Sequence, residues 1–348
     1  MNEHESAPKR KVSFIHPNRS FETMISMMNL HGSGLENSLE RDDENPDYVI
    51  AANECFMSTK IYSVLKKYMQ SGRNRIFIQL SRECVEPDLN VFDYATTWNR
   101  KHIYSGRIIH NVPSVHGIPQ NDLTRGEAAK ILQDSPGFCN FIYSHPSPVR
   151  DNFFRMLCEY KRVDSSGKCL NNTGTEPTRS AQNWYDLSID MKKGYKFSIA
   201  MENASYSGYT SEKIITSLRA HTVPIYWGDP DAAEFINPEA FINCHDYSSF
   251  DEVIERVKEI DNNGDLWLDM VTKPFQTEEQ RQKTISIFKE YQKFFIDLFS
   301  QDTSKAKRRP EGTVPDVYFE NFGSINLPFH AKILRELKRI KHQIMPER

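Results

Sequence analysis

Several patterns are missing from the 348 residues, and each absence removes a class of chemistry. Neither G-x-x-x-x-G-K-[ST] nor G-x-G-x-x-G occurs, so a P-loop NTPase and a standard dinucleotide dehydrogenase are excluded on motif grounds. No H-E-x-x-H or comparable histidine ligand pair is present. The six cysteines (Cys55, Cys84, Cys139, Cys158, Cys169 and Cys244) form no C-x-x-C pair, which argues against zinc and against a small disulfide framework. Reduced thiols are expected. A long apolar run is also lacking, and the opening MNEHESAPKRK is too polar for a signal peptide or an anchor. On that reading the chain is cytoplasmic, and the Asn-x-Ser/Thr patterns at Asn18, Asn171 and Asn203 are chance matches. A formal charge of -3 gives no reason to expect nucleic-acid binding by the whole chain.

What is present fits an α/β protein. With 38 % hydrophobic and 26 % charged residues, and more length than one core usually covers, two domains and a tail are expected. Strand-like runs at 11–16 (KVSFIH), 48–52 (YVIAA) and 76–80 (IFIQL), with VFDYATT and RIIHNV after them, alternate with helical spacing at 55–70. Residues 1–134 therefore read as a first Rossmann-like domain. FCNFIYS at 138–144 opens a second series spanning 135–300, with a strand expected at 240–246 and helices at 250–260 and 284–299. The Gly-, Ser- and Asn-rich stretch 163–177 is expected to be a mobile loop.

The most organised stretch is 195–229, YKFSIAMENASYSGYTSEKIITSLRAHTVPIYWGD. Two apolar runs flank a polar loop and an amphipathic segment, the order of a strand, a loop and a helix before a second strand. The loop would lie at the carboxyl end of one strand and the amino end of a helix, where anionic ligands bind in open α/β sheets. Lys213 then stands in the first helical turn, where the helix dipole disfavours a cation. Arg150 repeats this placement after Pro148 in HPSPVRDNFF. Both cations are accounted for if they converge on one phosphate-bearing ligand; the alternative for Arg150 is a surface pair with Asp151 or Glu159. Glu83 follows a strand directly and is either a carboxylate delivered to a cleft or merely solvated. Tyr209 is either a ligand contact or packing. Asp229 and Asp231 form an Asp-x-Asp pair, read as a turn around Pro230 rather than a metal site.

These residues resemble the inverting α-1,3-fucosyltransferases that use GDP-fucose, glycosyltransferase family 10, especially bacterial members. The likeness rests on Tyr195, Lys196, Phe197, Glu202, Asn203, Tyr209, Glu212, Lys213, Val223, Pro224, Gly228, Phe241 and Ile242 in order. Upstream, FCNFIYS and Arg150 with Phe153 continue it, as do Glu83, Pro87, Asn90 and FDYA at 92–95. His145, Ala204 and Ser211 depart from the residues most common there. The resemblance implies a GT-B fold, two facing Rossmann-like domains with the active site in the cleft. It also implies Glu83 as general base, Arg150 and Lys213 on the donor pyrophosphate, Asn203 and Tyr209 on the sugar-phosphate portion, and Glu212 on the ribose. No metal or cofactor is required on this view, a divalent ion being at most stimulatory. The partners implied are GDP-fucose and a glycan acceptor, most naturally of LacNAc or Lewis-x type. An α-1,4 or core N-glycan linkage, another nucleotide sugar and a catalytically silent carbohydrate-binding protein are the alternatives.

Residues 301–348 are basic. A stripe of Ile333, Leu334, Leu337, Ile340 and Ile344 with lysines and arginines elsewhere reads as an amphipathic helix, and 305–309 adds a second basic cluster. Two readings stay open: peripheral contact with the inner face of a membrane, or a terminal helix packed on the protein.

Overall fold

The computed structural model describes residues 9–16, 20–52, 59–71, 74–101, 106–134, 136–176 and 183–312. The chain divides into two units, one made of residues 1–97, 104–109 and 295–348, the other of 98–103 and 110–294.

The first unit carries strands β1 (Arg10–Ile15), β2 (Leu39–Arg41), β3 (Tyr48–Ala52), β4 (Ile76–Leu80), β5 (Tyr94–Thr97) and β6 (Ile108–His110), with helices α1 (Phe21–Met27) and α2 (Thr59–Gln70). The sheet order is β2-β1-β3-β4-β5-β6, and β1 through β5 pair in parallel. Every residue of β3 and β4 is buried, which is why both read as dense apolar runs, with Gln79 the one polar residue, rather than alternating ones. Beside this sheet Asp93 is fully buried and accepts from the Phe77 N–H and the Arg309 N–H, each at 2.8 Å. The Arg309 guanidinium pairs with the same carboxylate at 3.0 Å and lies 4.6 Å above the Phe77 ring, with Arg308 at 3.5 Å. The 305–309 cluster is therefore anchored on the first unit rather than left to a basic tail. The amphipathic stripe of 331–345 lies outside the described residues, as do Asn18 and Cys55. Among the described residues no helix is long and apolar enough to cross a membrane.

The second unit carries α3 (Arg125–Gln133), β7 (Gly137–Ile142), α4 (Pro148–Tyr160), β8 (Val163–Ser166), α5 (Trp184–Asp190), β9 (Tyr195–Met201), α6 (Glu212–Arg219), β10 (Val223–Trp227), β11 (Ile242–Asn243), α7 (Phe250–Asp261) and α8 (Gly264–Val271). Helix α9 (Glu278–Ser300) begins here and ends among the residues of the first unit. The sheet order is β11-β10-β9-β7-β8, all pairs parallel. The expected boundary at 134 moves upstream because α3 packs with this core: Ala128 is buried in it, Ile131 and Leu132 lie against it, and Arg125 reaches Asp265 at 2.7 Å. The strand expected at 240–246 is only two residues long, since Asn243 caps a single helical turn at Cys244–Asp246.

The stretch expected to be a mobile loop contains β8 and a closed turn. Asn172 accepts from the Ser165 N–H and donates to the Val163 carbonyl, each at 2.8 Å, while the Asn171 amide donates to Gly167 and Thr175 carbonyls. Side-chain amides there add to the backbone bonds from the Asn172 N–H to Ser165 and from the Gly167 N–H to Thr175.

Candidate functional site

In the second sheet β8 lies on one side of β7 and β9 on the other. The chain thus reverses its direction of strand addition between β7 and β9, the topological switch point at which open α/β sheets bind ligands beyond their carboxyl ends. The loops leaving these two strands lead into α4 and α6, and they bring Arg150 and Lys213 to this one edge.

Arg150 is the third residue of α4 and is only 5 % exposed. Its guanidinium donates to the His145 carbonyl at 2.9 Å and stacks 4.7 Å above the Tyr143 ring, while its Nε is buried without a partner. Asp151, the partner expected if Arg150 were a surface cation, instead accepts from the Tyr143 hydroxyl. Burial first, and then this bond to a carboxylate, push the Tyr143 phenol above its ordinary pKa, so it stays a neutral donor beneath the cation. Among the described residues no carboxylate pairs with Arg150. A buried cation without a counter-ion is costly unless a ligand supplies one.

Lys213 is differently placed. Its ammonium contacts Glu202 Oε2 at 2.9 Å and Ser211 Oγ at 2.8 Å, with Glu212 at 3.7 Å. Glu202 is fully buried and also accepts from the Ser211 N–H at 2.8 Å and the Ser211 hydroxyl at 2.7 Å. Burial alone would lower the Lys213 pKa, but Glu202 and Glu212 outweigh it and hold it above the ordinary lysine value, against an opposing push from Arg150. That push places the two cations within electrostatic reach of each other. The amino end of α6, expected to be open for an anion, already has a carboxylate of its own.

The intervening loop is braced from below. Asp229, 1 % exposed, accepts from the Gly208 N–H at 2.8 Å, the Asp231 N–H at 2.9 Å and the Thr210 hydroxyl at 3.1 Å. Asp231 accepts from Ser207 at 2.5 Å. Both carboxylates thus serve the loop. Gly208 has φ +82°, and a Cβ there would collide with the Trp98 carbonyl oxygen, so only glycine fits. Tyr209 is 4 % exposed and meets the Trp98 ring edge-on at 5.6 Å. Its ring is packed, whereas Asn203 is exposed and Glu212 partly exposed at the mouth of the loop.

Arg150, Asn203, Tyr209, Glu212 and Lys213 therefore all belong to the second unit. Glu83 belongs to the first, half-buried just beyond β4. Three residues to which sequence reasoning gave no role join them. Glu202 was visible as a carboxylate directly after a buried strand and nine residues ahead of the helix cap Ser211. Tyr143 was hidden in an apolar run. Lys192 is buried beneath α6 and donates to the Lys213 carbonyl and to Thr216 and Ser217 hydroxyls at 2.6–3.1 Å, and nothing in its KKGYK context signals this.

Residues 138–308 match the sequence model of glycosyltransferase family 10 (fucosyltransferase) C-term. The chain is 28 % identical over 278 residues to an alpha-(1,3)-fucosyltransferase of Helicobacter pylori, covering 69 % of this chain and 56 % of that protein. It is 28 % identical over 193 residues to a putative fucosyltransferase of Acanthamoeba polyphaga mimivirus, covering 54 % and 32 %. The chain thus spans between a third and little more than half of the length of these relatives. A crystal structure of an alpha1,3-fucosyltransferase with GDP-fucose superposes with a TM-score of 0.63 at 21 % identity, covering 87 % of this chain and 94 % of that one. This likeness establishes the fold as GT-B in type.

Proposed function

We propose, from the match of residues 138–308 to the model of glycosyltransferase family 10 (fucosyltransferase), that the chain is an inverting transferase of that family. It would move L-fucose from GDP-fucose to a GlcNAc hydroxyl of an oligosaccharide, forming an α-1,3 linkage on a LacNAc or Lewis-x type acceptor. The observation that carries this reading is the pair of cations at the switch point, above all the buried Arg150 with no carboxylate partner among the described residues.

The chemistry is a displacement. The acceptor hydroxyl oxygen forms a bond to the anomeric carbon of fucose while the bond from that carbon to the β-phosphate oxygen breaks. The hydroxyl proton goes to a base and the electron pair leaves with GDP. Glu83 is assigned the proton, since a carboxylate at a strand end can act as general base within hydrogen-bond reach of a hydroxyl. Arg150 and Lys213 are assigned the charge that accumulates on the leaving diphosphate, a task for fixed donors whose orientation precedes the reaction. Asn203 and Glu212, both accessible, are assigned the donor's sugar-phosphate portion and ribose. Tyr209 is assigned to the sugar-phosphate side through the loop it packs. Two fixed cations supply what a divalent ion supplies elsewhere, so no metal is required on this reading.

GDP release from GDP-fucose, measured against a panel of LacNAc, type 1 and core N-glycan acceptors with the product linkage determined, tests the proposal. Turnover with another nucleotide sugar in place of GDP-fucose would replace the donor assignment.

A further inference from the structure

We propose that Glu202 is a positioning residue for the donor site, clamping the Lys213 ammonium against the first turn of α6 so that a diphosphate meets it already oriented. The inference rests on the donor reading above but concerns a residue that reading does not use.

Glu202, Ser211 and Lys213 close a ring of hydrogen bonds. The Lys213 ammonium donates to Ser211 Oγ at 2.8 Å and to Glu202 Oε2 at 2.9 Å, and Ser211 Oγ donates to the same Glu202 oxygen at 2.7 Å. The other carboxylate oxygen takes the Ser211 N–H at 2.8 Å. These contacts use two of the three ammonium protons and leave one for a ligand. The base of the clamp is fixed as well, because the Glu202 N–H donates to the Trp227 carbonyl at 2.7 Å at the end of β10. One fully buried residue thereby joins the ends of β9 and β10 through its backbone and the start of α6 through its carboxylate.

The charge arrangement explains why a carboxylate stands so near an anion site. Among the described residues four charged or titratable groups face Lys213: Glu202 from the end of β9, Glu212 on α6, Arg150 on α4, and Lys192, whose amine holds the Lys213 carbonyl at 3.1 Å. Without Glu202, the Lys213 and Arg150 cations and the positive end of a helix would crowd one turn, with the partly exposed Glu212 as the one carboxylate among the described residues to offset them. Glu202 keeps Lys213 charged and confined to one rotamer, which lowers the ordering cost when the diphosphate binds.

Competitive acetylation of the full-length chain with trace reagent, read at the Lys213 peptide by mass spectrometry across pH, reports Lys213 ionisation without any turnover. In Glu202→Gln the apparent pKa of Lys213 is expected to fall by about one unit or more. The alkaline limb of kcat/KM for GDP-fucose should move with it. A folded Glu202→Gln protein whose Lys213 titrates as in the parent overturns the proposal. Should that variant fail to fold, Ser211→Ala, which opens the ring on one side, is expected to give a smaller shift in the same direction, and no shift overturns it equally. A parent protein that consumes no GDP-fucose, while Lys213 still shifts in Glu202→Gln, would remove the donor reading and leave the clamp standing.

Discussion

Gly228 sits so close to Glu202 that a Cβ on it would stand 2.8 Å from the Glu202 Cβ, against its Cγ, and 2.9 Å from the Tyr226 hydroxyl. Its own φ is unremarkable for any residue, so the glycine is required by space rather than by backbone conformation. Gly228→Ala is expected to displace the Glu202 carboxylate and to destabilise the protein by about 1–3 kcal/mol, the usual cost of overpacking. GDP affinity should fall with it. Urea denaturation and calorimetric titration with GDP check both, and an alanine variant matching the parent in each would show that the contact is relieved at no cost.

Glu83 lies outside the unit that carries the cations, so under the proposed assignment proton transfer and donor binding are separable by mutation. Glu83→Gln is expected to abolish transfer while GDP-fucose still binds. Undiminished turnover in that variant would take Glu83 out of the mechanism.

Arg150 is expected to contribute charge-assisted bonds to the diphosphate. Arg150→Ala should weaken GDP binding about ten- to a hundredfold, from roughly 1.5–3 kcal/mol per charged hydrogen bond. Tyr143→Leu keeps the cation but removes the ring beneath it at 4.7 Å, and a smaller loss is expected. Equal losses in both variants would mean that Arg150 acts only through packing.

Among the described residues Lys192 has no carboxylate in its hydrogen-bond set, and burial drives its pKa down to about 7. In the unfolded chain it would hold its proton up to about pH 10.4, so between those values the unfolded state binds more protons and stability rises with pH. The slope from this residue is at most about 1.4 kcal/mol per pH unit. Lys192→Met should flatten the stability profile between pH 7 and pH 9, as measured by denaturant midpoints at each pH; a profile parallel to the parent's would refute the assignment.

Exhaustive chelation is expected to leave transfer largely intact, because the assigned charge on the leaving group is carried by side chains. Complete loss restored by a single divalent ion would overturn this.

Much of this architecture was legible in the chain because parallel strands covered on both faces are predominantly apolar along their length. YVIAA, IFIQL and the run opening at Tyr195 all announce themselves in that way. The cations at the starts of α4 and α6 were legible as violations of the helix-dipole preference. The Glu202 clamp was not, since hydrogen-bond partners nine and eleven residues away depend on where the loop folds. Asp229 likewise read as a turn residue, and nothing in a local window shows that it holds the N–H of Gly208, 21 residues back. The division at 134 was misplaced because nothing in the local run 125–133 says which sheet its apolar residues will cover.

The pairing of Arg309 with Asp93 carries a consequence for biosynthesis. The second unit is nearly continuous, and its parts are all made once residue 294 has left the ribosome. The first unit cannot be completed then, because its buried Asp93 carboxylate waits for a cation 216 positions downstream. The half of the molecule translated first is therefore the half finished last, and a truncation just short of Arg309 should injure the amino-terminal sheet rather than the neighbouring one.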